Sequence, residues 1–250
     1  MRIKIRATVR VTAVVSALLL GTISFSQSSY ASDSSGSRET HVTRSSTIFK
    51  SPNHKPKPLA ATIAPTAGCV KTNASAHKPI TVGFPDREDA MADRVFTLNT
   101  NCGPIIFKAF GKKAVSTVIA MSFLAKSGYF DHSLCHRITT AGSFALWCGD
   151  PTASGSGGPR WTYRDENLPS DAPNDYPAGT IAMANYGPNT NGSQFFIVYK
   201  DSYLPNKFTI WGVVTQGLDI VKRVAAAGVL GGGNDGTPKM TIAIESVTVD

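Results

Sequence analysis

Apolar and polar positions alternate along Val95-Phe96-Thr97-Leu98-Asn99-Thr100, the period of a half-buried strand. Gly103-Pro104 supplies a turn, and Ile105-Ile106-Phe107-Lys108-Ala109-Phe110 predicts a second strand. Over residues 114–127 the spacing becomes helical. Val118, Met121, Leu124 and Ala125 form one stripe, Ser116 or Thr117 can cap its start, and Gly128 ends it. Further strands are predicted near 134–139, 144–148, 179–184, 194–199, 208–214 and 240–248, with a second helix over Leu218–Ala227 closed by Gly228. Eight short strands separated by turn signals, with only two helices, predict a closed antiparallel barrel. Closure removes the exposed edges that would otherwise recruit other strands.

The first 92 residues follow a different pattern. Arg2, Lys4, Arg6 and Arg10 precede a short apolar run from Val11 to Phe25, and Ser29-Tyr30-Ala31 places small residues at a cleavage position. Residues 1–31 therefore predict a signal peptide. The run is shorter than the roughly 20 residues of a membrane-spanning helix, although an uncleaved anchor is the alternative. Residues 32–92 hold six prolines but, of the aromatics, only Phe49 and Phe84. They predict a disordered Ser/Thr/Pro-rich linker, because so little apolar surface cannot offset the entropy of ordering. Residues 93–250 form the predicted folded domain. The protein is thus expected to be exported, either secreted or held at the cell envelope, with transient membrane or wall association through its N-terminus left open.

Net charge changes the picture less than its total of +8 suggests. Four cations and no acids lie in residues 1–31; eight Lys/Arg and five Asp/Glu lie in 32–92. The domain keeps thirteen and twelve, a net of +1, so the basic excess lies outside it and nucleic-acid binding is not expected. Four cysteines, Cys69, Cys102, Cys135 and Cys148, can pair in an oxidising compartment. Three connectivities are open, as is a set of buried thiols. Cys135 with Cys148 would flank one predicted hairpin, and Cys69 with Cys102 would then staple the linker to the domain. No CxxC or clustered His points to a metal site. His132 and His136, four apart beside Asp131, fall by a strand rather than on a helix face, and no G-x-S-x-G elbow supports a hydrolase.

Four blocks carry a sharper signal. Cys135-His136-Arg137-Ile138 is followed by Ser143-Phe144-Ala145-Leu146-Trp147-Cys148-Gly149-Asp150, then by Asp165-Glu166-Asn167-Leu168. The fourth is the fifteen-residue run Ala182-Met183-Ala184-Asn185-Tyr186-Gly187-Pro188-Asn189-Thr190-Asn191-Gly192-Ser193-Gln194-Phe195-Phe196. This series resembles the cyclophilins over about residues 93–250. The resemblance implies a mainly β fold, an eight-stranded antiparallel barrel capped by two α-helices. It also implies peptidyl-prolyl cis/trans isomerase activity on proline-containing polypeptides, with no cofactor and no metal. A monomer is the default expectation.

The implied reaction rotates an Xaa–Pro amide against a barrier of about 18–20 kcal/mol, set by resonance. In the twisted amide the nitrogen lone pair is localised and can accept a hydrogen bond; in the planar amide it cannot. A cation placed there therefore acts mainly in the transition state. By position, Arg137 is the implied catalytic arginine, always charged and able to donate to carbonyl and nitrogen. Phe144 and Phe196 match the aromatic wall for the proline ring, Leu204 a rim leucine, and Gln194 a contact to substrate backbone. Ala184 and Asn185 match residues whose backbone grips the peptide like an added strand. Ala145 stands where Met is common and predicts a roomier floor. Phe208 replaces a frequent His and can still wall the pocket; Tyr203 replaces a tryptophan. The largest departure is Trp147, where the family usually has a glutamine that accepts from the arginine. Indole accepts nothing but can stack on a guanidinium. This substitution motivates the alternative of a non-catalytic proline-peptide-binding module or holdase using the same groove.

Overall fold

The computed structural model describes residues 68–85 and 92–250. The expected signal peptide and the linker up to residue 67 lie outside the described residues. Among the described residues ten strands and two helices follow one another as β1 (Arg94–Thr100), β2 (Gly103–Ala109), α1 (Val115–Lys126), β3 (Ser133–Leu134), β4 (Arg137–Thr139), β5 (Ala145–Cys148), β6 (Thr180–Met183), β7 (Phe195–Val198), β8 (Ile210–Gln216), α2 (Leu218–Ala227), β9 (Asp235–Gly236) and β10 (Ala243–Val249). Every pairing is antiparallel, in the order β3-β10-β1-β2-β8-β6-β7-β5-β4-β9.

The sheet curls into a half-barrel, not the expected closed eight-stranded barrel. The difference arises at Cys135-His136. The strand expected over 134–139 splits there, with β3 joining β10 at one edge and β4 joining β5 near the other. The chain itself, rather than a ladder of hydrogen bonds, crosses the seam. The tenth strand is β9, two residues in a glycine-rich turn that pair with β4. So short a strand in such a turn has no alternating pattern to reveal it.

The main core lies between the concave sheet and the helices. Phe96 and Phe107, paired across β1 and β2, stack at 5.0 Å, and Trp211 meets both edge-on at 5.3 and 5.1 Å. Val118, Met121 and Leu124 of α1, with Ile220, Val221 and Val224 of α2, complete it. Neither Ser116 nor Thr117 caps α1 with its own hydroxyl. Glu166, about fifty residues on, instead accepts from the Ser116 and Thr117 amides at 3.0 Å each. A carboxylate suits the unpaired N–H groups and positive end of the helix, and here it ties the 165–167 loop to the core.

The expected linker also needs correction, because residues 68–85 lie along the domain as an ordered strap. Disulfide Cys69–Cys102 anchors it. The Val70 amide donates to Asn101 O, and Asn101 Nδ2 donates back to Val70 O, both at 2.9 Å. Farther along, Trp161 Nε1 donates to Val82 O at 3.2 Å, and Phe84 packs edge-on against Trp161. Backbone hydrogen bonds and one covalent link supply what the strap's low hydrophobicity does not. Cys135–Cys148 closes a shorter loop of 13 residues; constraining the unfolded chain this way typically contributes about 2–4 kcal/mol.

Candidate active site

Strands β6 and β7 are buried on both faces. With β5 they send alternate side chains to opposite sides, as the pleat requires. Leu146, Ile181, Met183, Phe195 and Ile197 enter the main core. Ala145, Ala182, Phe196 and Val198 face outward into a smaller cluster, closed by Tyr176 and Phe208. Phe208 of this cluster, with Trp147 and Ala184 packed against it, lines a groove of about 720 Å³ together with Arg137, Asn185 and Gln194.

Arg137 on β4 stands opposite Trp147 on β5. Its guanidinium lies 4.7 Å from the centre of the Trp147 ring, and the indole lies 4.6 Å from Phe196, tilted by 36°. Phe208 closes edge-on against Phe196 at 5.4 Å, and Tyr176 lies 6.2 Å from it. Cation, indole and buried phenyl thus form a layered column. Phe196 is 0% exposed, so its face toward the groove is covered by Trp147. The expected roomy floor at Ala145 is not open space either, because Ala145 is fully buried in the cluster that contains Tyr176.

The column orients Arg137 by its face; a carboxylate orients it by its edge. Arg137 Nε donates to Asp235 Oδ1 at 2.7 Å and Nη2 to Oδ2 at 2.6 Å. The pairing holds the Asp235 carboxyl below its usual pKa range and raises that of Arg137, each chiefly through these hydrogen bonds. Both side chains are partly exposed, at 41% and 54%. Such a pair adds only about 0–1 kcal/mol to stability; its clearer effect is geometric.

Asp150 builds another wall of the groove. Its buried carboxylate accepts from the amides of Thr152, Ser154, Gly155 and Gly157 at 2.8–3.1 Å. Burial alone would raise its pKa, but the donors together hold it below the usual range. Gly157 is needed at this point because a Cβ there would overlap the carboxylate. The ordered loop is then tied across the groove. Gln194 Nε2 donates to Gly157 O at 2.7 Å and to Tyr186 Oη at 2.9 Å, while the Tyr186 hydroxyl donates to Gly155 O. The site as built is a peptide-sized cleft with a fixed cation above an apolar floor and polar loops at its rim.

Residues 95–249 match the family model of the cyclophilin type peptidyl-prolyl cis-trans isomerase/CLD. The chain belongs to the cyclophilin family. It is 44% identical over 163 residues to the probable peptidyl-prolyl cis-trans isomerase B of Mycobacterium tuberculosis, covering 60% of this chain and 53% of that one. The Mycobacterium leprae protein of the same description is 41% identical over 166 residues, covering 62% and 56%. The chain therefore spans about half the length of these curated relatives. Among solved structures, a cyclophilin type peptidyl-prolyl cis-trans isomerase of Cryptosporidium parvum is 25% identical with a TM-score of 0.53. That match covers 64% of this chain and 98% of the other.

This cyclophilin does not gather every residue that the motif singles out. Phe144 is directed away from the groove. It immediately precedes Ala145, so the pleat points the two side chains to opposite faces, and the Phe144 ring packs against Tyr199 with Lys200 4.4 Å above it. Tyr203 is 56% exposed and donates to Asp171 Oδ1 at 3.2 Å, away from the column. Leu204 packs against the outer cluster. Asn185 Nδ2 donates to Lys207 O at 2.7 Å, and the Ala184 amide to Gln194 O at 2.9 Å. Cys135 and Cys148, joined by the second disulfide, flank His136-Arg137 on one strand and Trp147 on the other. Asp235, Tyr176 and Tyr186 are the contributors that sequence patterns did not single out.

Proposed function

We propose that the protein is a peptidyl-prolyl cis/trans isomerase that accelerates Xaa–Pro rotation in exported polypeptides and so assists their folding. The observation that carries this reading is the Arg137 guanidinium, fixed by Asp235 over a groove floored with aromatic rings. A proline ring needs an apolar seat, and the twisted amide needs a donor beside its nitrogen; the groove offers both. The donor is already oriented and charged, so little reorganisation is required in the transition state. A crystal structure of the Cryptosporidium relative obtained in the presence of the dipeptide Ala-Pro supports a proline-containing ligand.

The exported setting rests on two independent features. The leader reads as a signal peptide, and all four cysteines are placed as disulfides, a state favoured in oxidising compartments. Secretion or retention at the envelope, as a monomer, is the corresponding proposal for location and assembly.

The test uses the full-length chain, oxidised, and measures cis/trans exchange of a short Xaa–Pro peptide by NMR for wild type and Arg137→Ala. Wild type should accelerate exchange, and the variant should lose about 10²–10³-fold of kcat, the typical effect of deleting a preorganised transition-state donor. Peptide binding without acceleration in wild type would assign the groove to a binding module instead.

A further inference from the structure

Arg137 is held to one orientation by two neighbouring strands that act differently. On one side its register partner is Trp147. An indole has no acceptor, and Trp147 Nε1 is itself buried without a hydrogen-bond partner among the described residues. The indole therefore supports the face of the guanidinium but cannot stop it from turning within its own plane.

The other side is β9. Asp235 pairs with Thr139, two residues along β4 from Arg137. Residues two apart share a face of the sheet, so Asp235 and Arg137 are diagonal neighbours within reach of a long side chain. The two parallel bonds, 2.7 Å at Nε and 2.6 Å at Nη2, form the bidentate geometry that a planar guanidinium and a carboxylate match best. Two bonds fix the in-plane rotation that stacking leaves free, and the remaining N–H groups of the fork stay outside the pair.

We infer that Asp235 is a positioning residue for the isomerase reaction. It aims the Arg137 donors at the rotating amide from the β9 side, a task that the β5 side, with Trp147, does not perform. The depressed pKa of Asp235 agrees with this role, since it keeps the acceptor ionised well below neutral pH. The inference rests on the isomerase reading, in which Arg137 is the catalytic residue, and it makes a distinct prediction about how activity is lost.

Asp235→Ala and Asp235→Asn are compared with wild type and Arg137→Ala in the full-length protein by peptide-exchange NMR. Asp235→Ala should lower kcat by about tenfold or more, as small misplacements of a reacting group do, with KM nearly unchanged. Asp235→Asn, with one carbonyl acceptor, should fall between. The Arg137 Nε–H resonance, slowed in solvent exchange by Asp235, should exchange freely in Asp235→Ala. Adding Trp147→Gln to Asp235→Ala should recover part of kcat, because a glutamine opposite Arg137 can accept what Asp235 no longer does. Wild-type kcat in Asp235→Ala, alongside an inactive Arg137→Ala, overturns the positioning role and leaves the isomerase reading standing. Full activity in Arg137→Ala overturns the catalytic role of Arg137 and the positioning role with it, whereas no acceleration by wild type overturns the isomerase reading itself. A kcat loss matched by a lower thermal midpoint, with the Nε–H still protected, makes Asp235 structural and also overturns the proposal.

Discussion

The two faces of β5, β6 and β7 are built from the same short strands and yet are covered in different ways. Inward, Leu146, Ile181, Met183, Phe195 and Ile197 meet other strands and both helices, and nothing there reaches solvent. Outward, Ala145, Ala182, Phe196 and Val198 are equally buried, but their covers are Tyr176, Phe208 and Trp147, supplied by loops and by one partly buried indole. The inward face is held by secondary structure that cannot move without unfolding. The outward face is held by side chains that loops and one strand supply. A peptide-binding site needs the second kind of cover over the first kind of support.

The comparison breaks if the inward face proves dispensable. Phe195 is 1% exposed and meets Phe130 and Trp211 edge-on at 6.1 and 6.2 Å. Phe195→Ala should lower stability by about 3–5 kcal/mol, the range for emptying a large aromatic site. Denaturant unfolding of the oxidised protein measures this. A loss smaller than that of an outward-face variant would reverse the assignment of support and cover.

The outward face is sharpened by Tyr176→Phe. The Tyr176 hydroxyl donates to Pro205 O at 3.0 Å and accepts from the Phe208 amide at 3.2 Å, and burial pushes its pKa up to about 12, so it stays a neutral donor. Removing it strands a buried amide, which typically costs about 1–3 kcal/mol. It also frees the 205–208 turn that presents Phe208. Stability should fall less than in Phe195→Ala, and KM for the peptide should rise while kcat changes little. An unchanged KM with the full stability loss would place Tyr176 with the inward-type supports.

The same contrast explains what could be seen in the sequence. Strands β1, β2, β8 and β10 and both helices follow from periodicity, because each has one face on a continuous core. Arg137, Trp147, Gln194, Phe196 and Phe208 follow from ordered motif blocks; all but Phe196 line one groove, and Phe196 lies buried against Trp147. Phe144 was assigned to that groove by block position, against the alternation that sends it to the other side of Ala145. Asp235 and Glu166 act on partners 98 and about fifty residues away. No local period encodes such a contact, and Asp235 sits in a Gly-rich turn that reads only as a turn. The strap over 68–85 was hidden for another reason. It is held by a disulfide and backbone hydrogen bonds, and hydrophobic patterning reports neither.

The smallest expected effect lies at His136, on the seam between β3 and β4. Its Nδ1 is buried without a hydrogen-bond partner among the described residues. Burial holds its pKa below the ordinary histidine value; Asp150 partly opposes this, and the neighbouring Arg137 charge adds to it. A depressed folded-state pKa means that the unfolded chain binds the proton more tightly. Stability from the neutral ring is therefore fully present above the ordinary value of 6.5 and is lost as pH falls through that value toward the folded one. The Arg137–Asp235 pair behaves differently: with the carboxyl depressed, it should persist until pH drops below the usual carboxylate range. Mild acid should thus lower the unfolding midpoint before it disturbs the pair that orients Arg137. His136→Gln, which cannot take up the proton, should flatten the decline between pH 7.5 and 5 in denaturant titrations. An equally steep decline in that variant would move the proton uptake to some other group and leave the seam without a pH-sensitive residue.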